Sequence, residues 1–269
     1  METPDVDDAK QAARKIDRSP AYKATVRGGL VVYGVVHLLI AFLTVQLAIG
    51  ASDEEASQTG AMRALANTPL GPVLLWAVAI GFFALTLWQL LSAFIGHHEY
   101  SGAKLTRKRL GSGGKAVVYA ALGIAAANVA NGTDSEGDTA SAVGGSLMAL
   151  PFGQVLVALV GLGVAAVGAY LASKAFTGKW SEDLHGSLSG RWKWLPRLGY
   201  VAKGVSFLLV GQLFVFAAWT YDPETAGGLD AALQSLRSAP FGPWMLAAVA
   251  LGFACFGFYC FLWARRAKV

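Results

Sequence analysis

Six long apolar runs, separated by polar segments, dominate the pattern along the chain. They lie at residues 28–49, 71–95, 114–130, 152–176, 199–220 and 241–264, and the third is the shortest. Most are close to the roughly 20 residues that a helix needs to cross a bilayer. Lipid offers no hydrogen bonds to the backbone, and the alternating pattern of a membrane barrel does not appear. The pattern predicts an all-α protein with six transmembrane helices.

Charge distribution predicts the orientation of these helices. Of the 22 Lys and Arg residues, all but Arg63 and Arg237 lie before the first run, after the last, or in the stretches 104–115 and 174–203, which contain the segments that join runs two to three and four to five and the adjoining ends of those runs. By the positive-inside rule, both termini and these two segments are cytoplasmic, as in a multi-pass protein of the bacterial plasma membrane. The polar segment 1–27 does not resemble a cleavable signal.

The basic residues lie mostly near predicted helix ends, where they can meet anionic lipid headgroups. We therefore interpret the pI of about 9.2 as a consequence of membrane topology. Membrane lipids are the expected partners, with another membrane protein complex as a further one, and no nucleic acid is expected.

A unit of two long helices is repeated three times along the sequence. The second helix of each unit begins with Pro-x-Gly, and the first carries a cytoplasmic Arg followed by equivalent polar and aromatic positions. The equivalent sets are Pro69, Pro151 and Pro240; Gly71, Gly153 and Gly242; Arg27, Arg109 and Arg197; Tyr33, Lys115 and Lys203; and His37, Tyr119 and Phe207. Such periodicity predicts tandem repeats at residues 28–96, 97–178 and 179–269 after the polar segment 1–27.

Short stretches with small and apolar residues precede each Pro-x-Gly motif, at residues 59–66, 140–150 and 228–236. In the third stretch, apolar residues recur at helical spacing, which is typical of a short helix on a membrane surface. We predict such a helix in the third stretch, on the outer side.

The order Arg-Leu-Gly, then Lys, then an aromatic residue occurs from Arg109 to Tyr119 and from Arg197 to Phe207. Together with the Pro-x-Gly helices, it resembles the bacterial, mainly actinobacterial, family called domain of unknown function 1206. The resemblance extends from about residue 20 to 264 and implies three tandem copies of a two-helix unit. It implies no catalytic residues. The first copy departs most, with Tyr33 in place of the lysine.

Four polar residues within the predicted spans are the tentative functional sites. Polar groups are costly in hydrocarbon and therefore need partners. His37 and Gln89 have similar predicted depths, so we expect a hydrogen bond between them inside the first hairpin, as a helix contact before any proton or ligand role. Gln46 and Asn128 occupy equivalent positions near the outer end. Lys115 and Lys203 lie near the cytoplasmic boundary, where we expect them to snorkel.

Several catalytic and binding motifs can be set aside. The segment Gly111 to Lys115 lacks the spacing of a phosphate-binding loop. His97 and His98 with Glu99, and His185 in the other basic loop, do not have the spacing of metal ligands. The two cysteines, five residues apart in the sixth run, predict neither a disulfide nor a metal site. No cofactor, metal or catalytic residue is expected.

Tryptophans near the predicted span ends fit aromatic belts at the membrane surface. The cytoplasmic set is Trp180, Trp192, Trp194 and Trp263, and the outer set is Trp219 and Trp244. We expect no binding role for them.

Two classes of function stay open. The first is a noncatalytic structural or accessory membrane subunit, because the recurring residues are mainly Gly, Pro and aromatics. The second is a small-solute or lipid transporter or channel, with a path between the three hairpins lined by His37, Gln89, Gln46 or Asn128. We do not expect an enzyme.

Overall fold

The computed structural model describes residues 20–51, 56–94, 101–133, 139–181, 190–222 and 225–267, with residues 184, 186 and 188 of one loop. Each repeat holds a long helix, a short helix and a second long helix. The helices are α1 Pro20–Ile49, α2 Gln58–Ala66, α3 Gly71–Phe94, α4 Gly102–Ala130, α5 Thr139–Met148, α6 Gly153–Thr177, α7 Trp194–Thr220, α8 Leu229–Arg237 and α9 Gly242–Arg266. Two single turns of 3₁₀ helix, Lys179–Ser181 and Gly190–Lys193, lie between α6 and α7.

The all-α prediction is confirmed, since six of these helices are long and apolar enough to cross a membrane. The short helix α8 occurs where the third stretch predicted it, and the short helices α2 and α5 precede the other two Pro-x-Gly motifs. The third apolar run underestimates the length of its helix, because α4 begins at Gly102, before the run itself. Its basic first turns are rich in Lys, Arg and Leu, which are good helix formers that do not register as apolar.

The described helices form two compact units that do not coincide with the repeats. The larger unit comprises Met1–Ser57 and Gly137–Val269 and holds α1 and α5 to α9; the smaller comprises Gln58–Glu136 and holds α2 to α4. In the larger unit α6 packs along α7, α7 against α9, and α9 along α1; in the smaller unit α3 packs along α4. Each of the pairs α3–α4, α6–α7 and α9–α1 therefore joins helices of different repeats.

Glycines bring α6 and α7 into backbone contact. A Cβ atom on Gly168 would lie 2.8 Å from the carbonyl oxygen of Gly204, and one on Gly161 would lie 2.8 Å from that of Gly211. Both glycines on each helix are seven residues apart, which places them on one face. Small residues at such positions let helix backbones approach closely.

The pair α1–α9 repeats this crossing. Cβ atoms on Gly34 and Gly257 would each lie 2.9 Å from the carbonyl oxygen of the other glycine. Gly34 follows Tyr33 as Gly204 follows the equivalent Lys203, and Gly257 stands two residues before an aromatic, as Gly168 does. Repeat one is thus packed on repeat three through the same positions that pack repeat two on repeat three.

In the smaller unit, α3 and α4 are antiparallel. Leu75 near the start of α3 and Val129 near the end of α4 belong to one buried cluster, with Met62 of α2. The short helix α2 thus covers the end of the α3–α4 pair at which α3 begins. This position follows from chain order, because α2 directly precedes α3.

The three Pro-x-Gly motifs form turns that are closed by the same backbone hydrogen bond. The N–H groups of Gly71, Gly153 and Gly242 donate to carbonyl oxygens three residues earlier, each at 2.9 Å. A Cβ atom on any of these glycines would lie within 2.5 Å of a backbone oxygen of the preceding short helix. Glycine is therefore needed where each short helix meets the long one.

The middle residue of this turn is strained in two repeats. Phe152 and Phe241 have φ of 61° and 62°, the conformation that the third position of a type II turn requires and that Gly or Asn usually adopts. For other L residues it costs about 1–2 kcal/mol. The rings gain little compensating contact with the described residues, since they are 84% and 79% exposed.

Part of the loop after α6 packs into the larger unit. Trp180, Leu184 and Leu188 are buried against Tyr200, Phe256 and Tyr259, and the Tyr259 hydroxyl donates to the carbonyl oxygen of Trp180 at 2.9 Å. The belt assignment of Trp180 was therefore wrong: with 4% exposure, it is a core residue. Trp192 and Trp194 are exposed.

We predict that Gly168→Ala destabilises the larger unit. The added methyl group would lie 2.8 Å from backbone atoms of α7, and overpacking of this kind costs about 1–3 kcal/mol. Gly163→Ala on the same helix is the matched control, because a Cβ atom there meets nothing within 4 Å. Thermal unfolding in detergent should show a lower midpoint for the first variant only. Equal midpoints for both variants would contradict the crossing described above.

Candidate functional site

Three helices meet at a buried polar cluster in the larger unit. We name Tyr33 and His37 of α1, Lys203 of α7 and Phe256 of α9 the junction cluster. Tyr33 and His37 are one turn apart and so lie on one face of α1. The close approach of α1 and α9 at Gly34 and Gly257 brings that face to the junction.

The amino group of Lys203 lies at the centre of the cluster. Its Nζ atom donates to the Tyr33 hydroxyl oxygen and lies 3.2 Å from His37 Nε2. It is also 4.2 Å from the centre of the Phe256 ring and 4.7 Å from that of Tyr33. Lys203 is 8% exposed. All four contacts are to uncharged groups, so the cation is held by dipoles and aromatic faces.

The hydrogen bonds of His37 fix the hydrogen on its ring. Nδ1 is 2.8 Å from the backbone carbonyl oxygen of Tyr33. Because a carbonyl oxygen can only accept, Nδ1 donates, and Nε2 is the acceptor that faces the Lys203 amino group. The ring is 2% exposed and packs 4.7 Å from the centre of the Phe256 ring. Every polar atom of this side chain therefore has a partner.

The energies of these contacts are large enough to keep the ammonium group of Lys203 buried. Removing such a group from water costs several kcal/mol. Each hydrogen bond from a charged donor returns about 1.5–3 kcal/mol, and a desolvated cation–π contact about 2 kcal/mol. Since two contacts of each kind are present, gain and cost are of the same order, and the cluster holds only if every partner stays in place.

A further buried hydroxyl lies one turn along α7 from Lys203. Ser206 is 1% exposed, and its Oγ atom has no hydrogen-bond partner among the described residues. Most buried hydroxyl groups in helices bond to a backbone carbonyl group of the preceding turn. The α7 side of the junction thus has a hydroxyl group, that of Ser206, whose hydrogen-bonding capacity is not used by the described residues.

A second polar contact links the first and third repeats at the Pro-x-Gly end of the larger unit. The backbone N–H of Ala56 donates to Asp230 Oδ1 at 2.7 Å, and Gln234 Nε2 donates to the other carboxylate oxygen at 2.7 Å. Asp230 lies in the first turn of α8. The segment that follows α1 is therefore held to the third repeat as well.

The structure gives His37 partners other than the predicted one. Both ring nitrogens are engaged by Tyr33 and Lys203 within the larger unit, so the predicted bond to Gln89 is not the one that His37 makes. Equal depth in the membrane was the basis of that prediction, and depth does not determine which helix is adjacent. Gln89 belongs to the smaller unit, where it is buried on α3.

The other two tentative sites lie near helix ends. Gln46 is half-buried near the end of α1, and its carbonyl oxygen accepts from Ala51 at 2.9 Å. Asn128 is exposed near the end of α4, where its carbonyl oxygen accepts from Asn131 and Thr133. Neither belongs to the junction cluster. Because α3 and α4 are antiparallel, Asn128 and Gln89 lie at opposite ends of the smaller unit.

Lys203 is the functional candidate that sequence reasoning undervalued. We expected it to snorkel like its equivalent Lys115, and Lys115 is indeed exposed, but Lys203 is turned into the junction. A signal was present in the repeat itself. At the positions of the two lysines, repeat one carries Tyr33, and one turn later it carries His37 where the others have aromatic rings.

Among the residues that the structure describes, no group of three His, Cys, Asp or Glu side chains is placed to hold a metal ion. The sequence hypotheses about His97, His98, Glu99 and His185 lie outside those residues. Cys255 is half-buried and Cys260 buried, and both are free thiols.

The fold and the junction cluster define a helical membrane protein built from three repeats, each with two long helices. The family model described as Domain of Unknown Function (DUF1206) matches residues 28–96, 110–178 and 198–267. The chain belongs to this family, which confirms the resemblance found in the sequence. It is similar to the uncharacterised protein YxxB of Bacillus subtilis strain 168, with 28% identity over 264 residues, 96% of this chain and 95% of the relative. No solved structure matches the chain.

We predict energetic coupling between Tyr33 and Lys203. Tyr33→Phe removes an acceptor from a buried cation, which should lower the free energy of unfolding by about 1.5–3 kcal/mol. In a Lys203→Met background the same change should cost far less, giving a coupling of about 1–3 kcal/mol in a double-mutant cycle measured by denaturant unfolding in detergent.

Lys115→Met supplies the matched control, because Lys115 holds the equivalent position but is exposed. Tyr33→Phe and Lys115→Met should be additive within about 0.5 kcal/mol. Additivity in the Lys203 cycle as well would show that the junction cluster does not stabilise the larger unit.

Proposed function

We propose that the protein is a noncatalytic integral membrane protein that serves as a structural or accessory subunit, in contact with lipid and with another membrane protein. The junction cluster carries this proposal. Its polar groups are used to join helices of the first and third repeats, and both His37 nitrogens and the Lys203 amino group are engaged within the chain. Groups committed in this way stabilise an assembly and leave little for chemistry on a substrate.

The outward faces supply apolar surface for such contacts. On α6, Val155, Leu159 and Leu162 are each at least 57% exposed and recur at helical spacing, so they form one stripe. The opposite side of α6 holds the glycines that contact α7. One side of this helix is thus committed to the fold, and the other faces lipid or a partner.

We predict that a photo-crosslinking amino acid at Leu159 captures a discrete heterologous membrane protein in living cells, which then co-purifies stoichiometrically in mild detergent. The same amino acid at Val117 of α4, which is 70% exposed, is the control for random collision in the membrane. Purification as a clean species without co-purifying protein, with equal background capture at both positions, would refute the accessory role.

We place both termini in the cytoplasm and the protein in the plasma membrane. The distribution of Lys and Arg supports this, because all but Arg63 and Arg237 lie on the predicted inner side. Reporter fusions at the C-terminus should therefore be fluorescent with green fluorescent protein and inactive with alkaline phosphatase. The reverse pattern would invert the orientation.

A small-solute or lipid transporter or channel is the second candidate. The Ser206 hydroxyl favours it, because a buried hydroxyl without a partner among the described residues is available for a bound molecule or for water. Single cysteines at His37, Gln89, Gln46 and Asn128, in a chain lacking Cys255 and Cys260, distinguish the two candidates by reaction with a membrane-impermeant maleimide. A noncatalytic subunit predicts protection at the two buried positions, His37 and Gln89. Labelling at both would favour a hydrated path.

A further inference from the structure

Strained backbone in this chain occurs at exposed aromatic residues. Among the described residues, the non-glycine residues with positive φ are Phe152, Tyr221 and Phe241. Each is aromatic and at least 63% exposed. Because glycine or asparagine would adopt this conformation more readily, packing within the chain does not explain the choice of residue.

These three residues lie at one end of the larger unit. Phe152 precedes α6, and Tyr221 directly follows α7. Gln154 of α6 donates to the carbonyl oxygen of Ala218 on α7 at 3.4 Å, which places these two helix ends side by side. Phe241 precedes α9, which is joined to the end of α7 through the short helix α8 that contacts both.

Two further exposed aromatic residues occupy the same level. Trp219 in the last turn of α7 is 87% exposed, and Trp244 in the first turn of α9 is 78% exposed. We name these five residues, Phe152, Trp219, Tyr221, Phe241 and Trp244, the aromatic rim. Its members stand where three candidate spans begin or end.

We propose that the aromatic rim is a lipid-binding surface that inserts into the boundary between phospholipid headgroups and acyl chains. The rings of Trp and Tyr favour this boundary because one part is apolar and another can bond to water or headgroups. Burial of the Phe152 and Phe241 rings in lipid offsets the strain of their backbone. Insertion in a bilayer therefore stabilises the turns and the rim together, and the rim fixes the depth of α6, α7 and α9.

A lipid boundary fits these observations better than a partner protein does. The rim lies at one level along the helix axes, at their terminal turns, as an anchor in a planar interface requires. Its members come from three helices that are already packed together in the larger unit. A contact with a second protein is a testable alternative.

Substitution of Phe152 and Phe241 separates the effect of backbone strain from the effect of ring burial in lipid. Asn accepts positive φ more readily than Phe and is polar, so Phe152→Asn with Phe241→Asn relieves strain while removing the rings. In phospholipid nanodiscs we expect the unfolding midpoint to fall by several degrees. The variant Phe152→Leu with Phe241→Leu, which carries the residue type of repeat one at Leu70, should fall less. A rise in the midpoint of the Asn variant would overturn the proposal, because it would leave strain as the only effect of the rings.

Spin labels measure the depth directly and need no change in stability. Nitroxides at positions 152 and 241, in a chain lacking Cys255 and Cys260, should be more accessible to oxygen than to a water-soluble nickel complex. A label at Ser235, which is exposed on α8, is the reference for an aqueous position. Nickel accessibility equal to that at Ser235 would overturn the proposal, and so would protection from both reagents, which would indicate a protein partner.

Discussion

Close backbone contact between α1 and α9 is the constraint on which the larger unit depends. Gly34 and Gly257 let the two helices approach until a Cβ atom on either would lie 2.9 Å from the other's carbonyl oxygen. Only at such a separation can Tyr33 and His37 reach Lys203 on α7 while Phe256 of α9 closes the cluster. The glycines contribute little energy themselves, but they determine which polar groups become neighbours.

The same constraint explains why compact units and repeats differ. Each repeat has a separate packing face for each neighbouring repeat. Its small residues lie where the second helix of one repeat packs on the first helix of another. In the larger unit this arrangement appears twice, at Gly168 with Gly204 and at Gly257 with Gly34. In the smaller unit the equivalent positions hold Thr86 and Ala116, so α3 and α4 pack through a different set of side chains, with Ala79 and Ala126 buried.

Period and composition were sufficient to predict the long helices, the three repeats and the short helix before the third Pro-x-Gly motif, because local sequence determines these features. Period and composition were not sufficient to predict which helices pack against each other. His37 and Gln89 agree in depth, but depth does not determine which helix packs against α1. Contacts between residues far apart in the chain decide that. Lys203 shows the same limit, since a lysine near a span end can turn toward headgroups or into the protein, and only the residues of α1 that face it determine which occurs.

Differences between the repeats are therefore as informative as their similarity. A lysine at position 33 would place a second cation beside Lys203, and like charges at short range repel. Repeat one instead carries Tyr33 and His37, which accept hydrogen bonds from the lysine of repeat three, while Lys115 of repeat two is exposed. The first repeat differs from the other two where it meets the third, and its Tyr33 and His37 complement the lysine that the third repeat carries. This difference favours one specific arrangement of helices, because side chains of repeat one accept the lysine of repeat three at this junction.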